Sequence, residues 1–203
     1  MKILYNCLKY TPGTFELSPL YRHIFYPLQR LGTAIFVDSY KDIPRVCARE
    51  SPDAIMVWLD AATDPQLIKN LKTRASRIGI FGDDDSGFFR EWKKFVDVFD
   101  VNLTTCPRAL NWHRKKGGLA FPWLPTCDSE LYRPMDAKKS IDVSFVGNAN
   151  WQREKFIKGL ERRGVGVKCF GKGWPNGFLP EEEMIDVFNR SKINLNLKGV
   201  PLH

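Results

Sequence analysis

Three adjacent carboxylates, Asp83, Asp84 and Asp85, stand between Gly82 and Ser86-Gly87. Like charges packed side by side cost stability unless a cation, an arginine or a proton compensates, which makes this run the strongest local oddity in the chain. Three readings are open. A carboxylate here can serve as general base toward an acceptor hydroxyl, Asp84 being the first choice and Asp83 the next. The Asp-x-Asp spacing can hold a divalent metal on a nucleotide diphosphate. Alternatively, Asp85 or Ser86 caps a helix running through Phe89 and Trp92 and leaves its neighbours solvated.

Three further loops carry glycine beside polar or cationic groups. Gly147-Asn148-Ala149-Asn150-Trp151-Gln152-Arg153 joins a glycine turn to a helix start and an arginine. Backbone N–H groups, the helix dipole and a guanidinium can together capture a phosphate there, although the full Gly-x-Gly-x-x-Gly pattern is missing. Gly171-Lys172-Gly173-Trp174 adds a second glycine turn, whose tryptophan either lies against a base or sugar or anchors the turn to the surface. In Tyr10-Thr11-Pro12-Gly13-Thr14, glycine and hydroxyls can let backbone approach a ligand near the next helix, or form a plain loop.

For these loops to meet a ligand they must follow strands of an open parallel sheet, where ligands sit beyond the carboxyl ends. Short β-branched and aromatic runs do alternate with longer amphipathic segments, the pattern of repeated βα units. Strands are expected over 2–7, 34–38, 54–59, 77–81, 98–104 and 119–123. Leu20, Ile24, Leu28 and Leu31 recur at helical spacing between Ser18-Pro19 and Gly32, predicting a helix over 18–31 that Pro27 bends. Asp64 and Pro65 open a second helix over 64–74. Pro122, Pro125, Pro134 and Lys138-Lys139-Ser140 mark a connection, after which strands at 141–146, 165–170 and 192–197 alternate with helices at 153–163 and 181–189.

With 203 residues, 43% of them hydrophobic and 27% charged, the chain can build a substantial core, which excludes disorder and a disulfide-stapled miniprotein. No apolar run approaches the roughly 20 residues of a membrane span, so none is expected. Met1 to Tyr5 read as a strand rather than a secretion signal, and the protein is read as cytoplasmic. The five cysteines form no close pairs and only three histidines are present, so buried reduced thiols are expected instead of zinc or disulfides. The net charge of +8, from 31 basic and 23 acidic side chains, points to an anionic partner without a separate basic tail.

Taken together, Asp142-Val143-Ser144-Phe145-Val146-Gly147, Arg153, Phe170-Gly171-Lys172-Gly173-Trp174, Glu183-Met184 and 189–196 (Asn-Arg-Ser-Lys-Ile-Asn-Leu-Asn) resemble the start of the C-terminal domain of spore maturation protein CgeB-like glycosyltransferases. Asp83-Asp84 after the fourth strand, followed by Phe99-Asp100, resembles their N-terminal domain. The resemblance implies a two-domain, GT-B-like α/β fold: an acceptor-side Rossmann-like domain over 1–124, a linker over 125–140 and a donor-side Rossmann-like domain begun over 141–203.

It further implies transfer of a sugar from a nucleotide-sugar to a hydroxyl acceptor, with no strictly required metal and no cofactor beyond that substrate. Gly147, Asn148 and Arg153 would fall at the diphosphate, Gly171, Lys172, Gly173 and Trp174 near the nucleotide, and Thr11, Gly13 and Thr14 on the acceptor side. Family members continue past the position of Leu197 into an acidic helix-borne motif absent here. The alternatives are a non-catalytic or truncated nucleotide- or glycan-binding module and, as a minority reading, a DNA-modifying transferase. If the second sheet follows the order 3-2-1-4-5-6, the strand over 141–146 keeps a bare edge, and self-association or a partner completing the domain is expected.

Overall fold

Apolar residues occupy both faces of the first strand, Lys2–Asn6 (β1): Leu4 points into one layer of core and Tyr5 into the other. A strand buried on both sides belongs in the middle of a parallel sheet covered by helices. The computed structural model describes residues 1–11, 16–60, 62–82, 90–124 and 126–197. It contains two units, Met1–Asp128 and a second from Ser129 onward.

In the first unit, Thr33–Val37 (β2), Ala54–Trp58 (β3), Ser76–Phe81 (β4), Val101–Thr104 (β5) and Ala120–Pro122 (β6) join β1 in a six-stranded, wholly parallel sheet of order β2-β1-β3-β4-β5-β6. Chain direction across the sheet reverses at β1 and β3, so the two together form a topological switch point. On one face Leu4, Ile55, Val57 and Phe81 pack under Ile43–Glu50 (α2) and Pro65–Lys69 (α3); on the other, Tyr5, Met56 and Ile80 meet Tyr21, Ile24 and Phe25.

The segment expected as one helix over 18–31 divides into a π-type turn, Tyr21–Phe25, and an α-helix, Tyr26–Leu31 (α1). Pro27 lacks an N–H and crowds the carbonyl four residues back, and the widened turn precedes it. Ser18 caps this segment, its Oγ accepting from Tyr21 N at 3.2 Å. The helix expected over 64–74 is cut to Pro65–Lys69. Asp64 caps its start, accepting from Gln66 N at 2.8 Å, but Leu71 O is taken by Thr73 N and Arg77 Nη2, while Ala75 N turns to Thr73 Oγ1. Pro107–Lys115 (α4) completes the unit and buries His113 edge-on to Phe81, with ring centroids 4.5 Å apart.

Ile141–Val146 (β7), Lys168–Phe170 (β8) and Ser191–Leu195 (β9) form the second, three-stranded parallel sheet, with Trp151–Glu161 (α5) and Glu181–Arg190 (α6) as crossovers. Its order is β8-β7-β9, which corrects the expected 3-2-1 arrangement. β7 is the central strand, bonded to β8 through Ser144, Phe145 and Val146 and to β9 from Ile141 to Phe145, so its apolar edge is not bare. Right-handed crossovers running in opposite directions from β7 place α5 and α6 on opposite faces. Phe145 accordingly packs with Ile157 of α5, while its neighbour Ser144 faces the α6 side, where its hydroxyl lies 2.9 Å from Ser191 Oγ and donates to Asn194 Oδ1 at 2.7 Å.

Among the described residues no helix is long and apolar enough to cross a membrane. All five cysteines are free. Cys7, Cys47 and Cys169 are buried, Cys127 is exposed, and burial pushes the Cys7 thiol up to about 12.

Candidate functional site

The loops leaving β7 and β8 meet at the carboxyl end of the second sheet and continue its ladder. Gly147 N donates to Phe170 O at 2.8 Å and Ala149 N to Lys172 O at 2.8 Å. Across the same seam Asn148 Oδ1 accepts from Lys172 N at 3.2 Å, and the Trp174 indole N–H donates to Gly147 O at 2.8 Å. Trp174 also packs edge-on to Phe145, with centroids 6.0 Å apart. Of the two uses the sequence leaves open for Trp174, the structure displays the anchor.

Close approach explains two of the glycines. A Cβ on Gly171, at φ +124°, would come within 2.5 Å of Gly147 O, and one on Gly173, at φ +89°, within 2.8 Å of the Ala149 Cβ. Their lack of side chains is what lets the two turns interlock.

Arg153 lies in the first turn of α5, whose cap is Asn150: its Oδ1 accepts from Gln152 N at 3.1 Å and Arg153 N at 3.0 Å. The guanidinium sits 5.2 Å from the Phe145 ring centroid. Its Nη1 donates to Asn148 O at 2.7 Å, and its Nε and Nη2 donate to Leu197 O at 3.3 and 2.9 Å. One side chain thereby ties the loop after β7 to the end of β9. In the β8-β7-β9 order this point lies at the carboxyl ends of the adjacent strands β7 and β9, the end of an open α/β sheet at which ligands bind. Nη1 and Nη2 each retain a further N–H, and Lys172 is exposed at the same end, so the cluster presents positive charge at the start of a helix.

Gly147, Asn148, Arg153, Gly171, Lys172, Gly173 and Trp174 are therefore brought together, within one unit. The sequence reading missed the partners that hold them: the Asn150 cap, the Phe145 ring under Arg153 and the Leu197 carbonyl. An Asn one residue before a helical run was the available signal for the cap.

In the first unit, Thr11 lies on an excursion between β1 and the first helical segment, with Thr11 N donating to Glu16 O at 2.9 Å and Ser18 N to Lys9 O at 2.8 Å. Gly13 and Thr14 lie outside the described residues, as do Asp83, Asp84, Asp85, Ser86, Gly87 and Phe89. Gly82, the last described residue before the acidic run, lies beneath the Trp58 indole, where a Cβ would come within 2.7 Å of it. Among the described residues no three His, Cys, Asp or Glu side chains converge as a metal site would require.

No protein-family model matches this chain, and no curated protein matches it.

Proposed function

We propose that this protein is a cytoplasmic, GT-B-type glycosyltransferase that moves a sugar from a nucleotide-sugar to a hydroxyl acceptor. The observation that supports the reading most is the convergence of Gly147, Asn148, Arg153 and the 171–174 turn at the carboxyl end of the second sheet. A nucleoside diphosphate suits that position. Its phosphates meet the start of α5, the outer N–H groups of Arg153 and Lys172, and its base or sugar reaches the Trp174 turn.

In this reading Asp84 takes the proton of the acceptor hydroxyl. The hydroxyl oxygen bonds to the anomeric carbon as the bond from that carbon to the diphosphate breaks, and the cationic cluster stabilises the charge on the departing diphosphate. Asp83 is the alternative base, the loop containing Thr11, Gly13 and Thr14 belongs to the acceptor side, and no metal or further cofactor is required.

A second reading has an observation of its own. Arg153 and Trp174 are already engaged by main-chain carbonyls, as a module that holds a fold or ligand without turnover would have them. Calorimetric titration with nucleoside diphosphates, beside a donor-turnover assay, separates the two. The transferase reading expects diphosphate binding and a roughly 100-fold loss of turnover in Asp84→Asn. Diphosphate binding without donor turnover leaves the module, turnover untouched by Asp84→Asn and Asp83→Asn removes both as the base, and no diphosphate binding ends both nucleotide readings.

A further inference from the structure

The outer face of α5 carries charge and apolar surface that the fold does not use. Trp151, Lys155, Lys158 and Arg162 stand at i, i+4, i+7 and i+11, one line along the helix, with Phe156 and Arg163 on the flank. Ile157, on the opposite side, supplies the buried contact. Trp151 is 67% exposed and Phe156 49%, and all four flanking cations are exposed.

This face carries four basic residues, Lys155, Lys158, Arg162 and Arg163, against two acidic ones, Glu154 and Glu161, a surplus of two. The other face of the same sheet carries Glu181, Glu182 and Glu183 in the first turn of α6, followed by Asp186. On the α5 face Lys155, Lys158, Arg162 and Arg163 outnumber Glu154 and Glu161, with Lys158 Nζ 3.7 Å from Glu154, whereas the α6 carboxylates stand with Lys168 and Arg190, so the α5 face is the more basic and aromatic of the two. Shallow depressions of about 710 and 350 Å³ flank Lys155, and Trp151 lines both.

We propose that this face docks on an anionic lipid bilayer. Tryptophan and phenylalanine beside lysines and arginines are the composition of helices that lie in a membrane interface, with rings at the headgroup boundary and cations on lipid phosphates. The long stems of Lys155, Lys158 and Arg162 let their charges reach those phosphates while Trp151 inserts between them. Like charge repels the acidic α6 face from the same surface, which fixes the orientation. A nucleic-acid duplex would satisfy the cations equally but gives the large exposed ring at Trp151 no apolar medium to enter, and a single strand, whose bases could stack on that ring, is an outcome of the test.

The test mixes the full chain with phosphatidylcholine vesicles, alone or with about 30 mol% phosphatidylserine, and sediments them. Binding is expected only with phosphatidylserine, and is expected to weaken steeply with added salt. K155E/K158E/R162E should lower the partition coefficient by at least about tenfold. W151A should lower it several-fold while keeping the salt dependence. K72E/K115E/K116E, with the same change in net charge at exposed positions of the first unit, should bind like the parent. Circular dichroism checks that every variant folds. Absence of binding to phosphatidylserine vesicles, equal loss in the two triple variants, or binding to a single-stranded oligonucleotide but not to vesicles would each overturn the proposal.

Discussion

Gly171 lies against Gly147 so closely that a Cβ on the former would come within 2.5 Å of the latter's carbonyl oxygen. Two neighbouring strands hand their chains over to loops at this point, and the contact sets the spacing of every group around it. Gly171→Ala must push apart two backbones and hold alanine at φ +124°, so it should destabilise the second unit by about 2–4 kcal/mol. Gly164→Ala is the control: its φ is +81° but nothing lies within 4 Å of the added carbon, so strain alone should cost about 1 kcal/mol. Urea unfolding of both variants measures the difference, and equal midpoints would remove the close approach as the reason for Gly171.

Among the described residues, Arg153 is the one through which the loop after β7 and the end of β9 are joined by side-chain bonds. Arg153→Ala therefore has a structural cost of about 1–2 kcal/mol whether or not a ligand binds. Faster amide exchange should appear around Leu195 to Leu197 in the unliganded protein. If nucleoside diphosphate binds here, Arg153→Ala also lowers its affinity by at least about tenfold, the loss of one charge-assisted bond. Unaltered exchange would mean that the bonds to Leu197 O hold nothing in place.

Strands were legible because their signal is local. In β3 every residue is apolar and in β1 the run Ile3-Leu4-Tyr5 is, as burial on both faces demands, and the runs at 54–59 and 141–146 stand out against their surroundings. The helices Ile43–Glu50 and Pro107–Lys115 were not, because each opens on a proline, Pro44 or Pro107, that in sequence reads as a break between strands. Strand order was illegible for another reason. Whether β9 lands beside β8 or beside β7 depends on which face α6 covers, and the Ser144–Ser191–Asn194 polar contacts that accompany the observed choice look like surface residues in sequence. At the candidate site the glycines and cations could be read from residue type, whereas their engagement with Leu197 O and Gly147 O is a tertiary fact.

Asp128 and Arg30 give an asymmetric prediction. The Asp128 side chain is 2% exposed and its carboxylate takes both terminal nitrogens of Arg30, which is 37% exposed. Arg30→Met removes two charge-assisted bonds from a buried carboxylate and should cost about 2–3 kcal/mol, the lower end for a broken buried pair because Arg30 is partly solvated. Asp128→Asn leaves a cation that water can reach, and should cost about 1 kcal/mol. Thermal denaturation of both variants and their double mutant tests this order; the reverse order would show that the carboxylate is not held dry.

The same corner should make stability depend on pH through His23. Burial, reinforced by Arg22, holds the His23 pKa below its usual 6.5, with Asp128 opposing in part. The neutral ring has a geometric reason as well: Nδ1 accepts from Asp128 N at 3.4 Å, and a proton on Nδ1 would set two donors against each other. The unfolded chain thus binds a proton at His23 more readily than the folded one. Stability from this group is complete above the unfolded pKa of about 6.5, falls as pH drops through it, and levels off below the folded value, where both states are protonated. His23→Gln, which retains an acceptor but does not titrate, should remove this component. Urea midpoints at intervals from about pH 7.5 to 5 should therefore fall more steeply for the parent than for His23→Gln. Parallel curves for the two proteins would show that His23 takes up its proton as easily in the folded state as in the unfolded one.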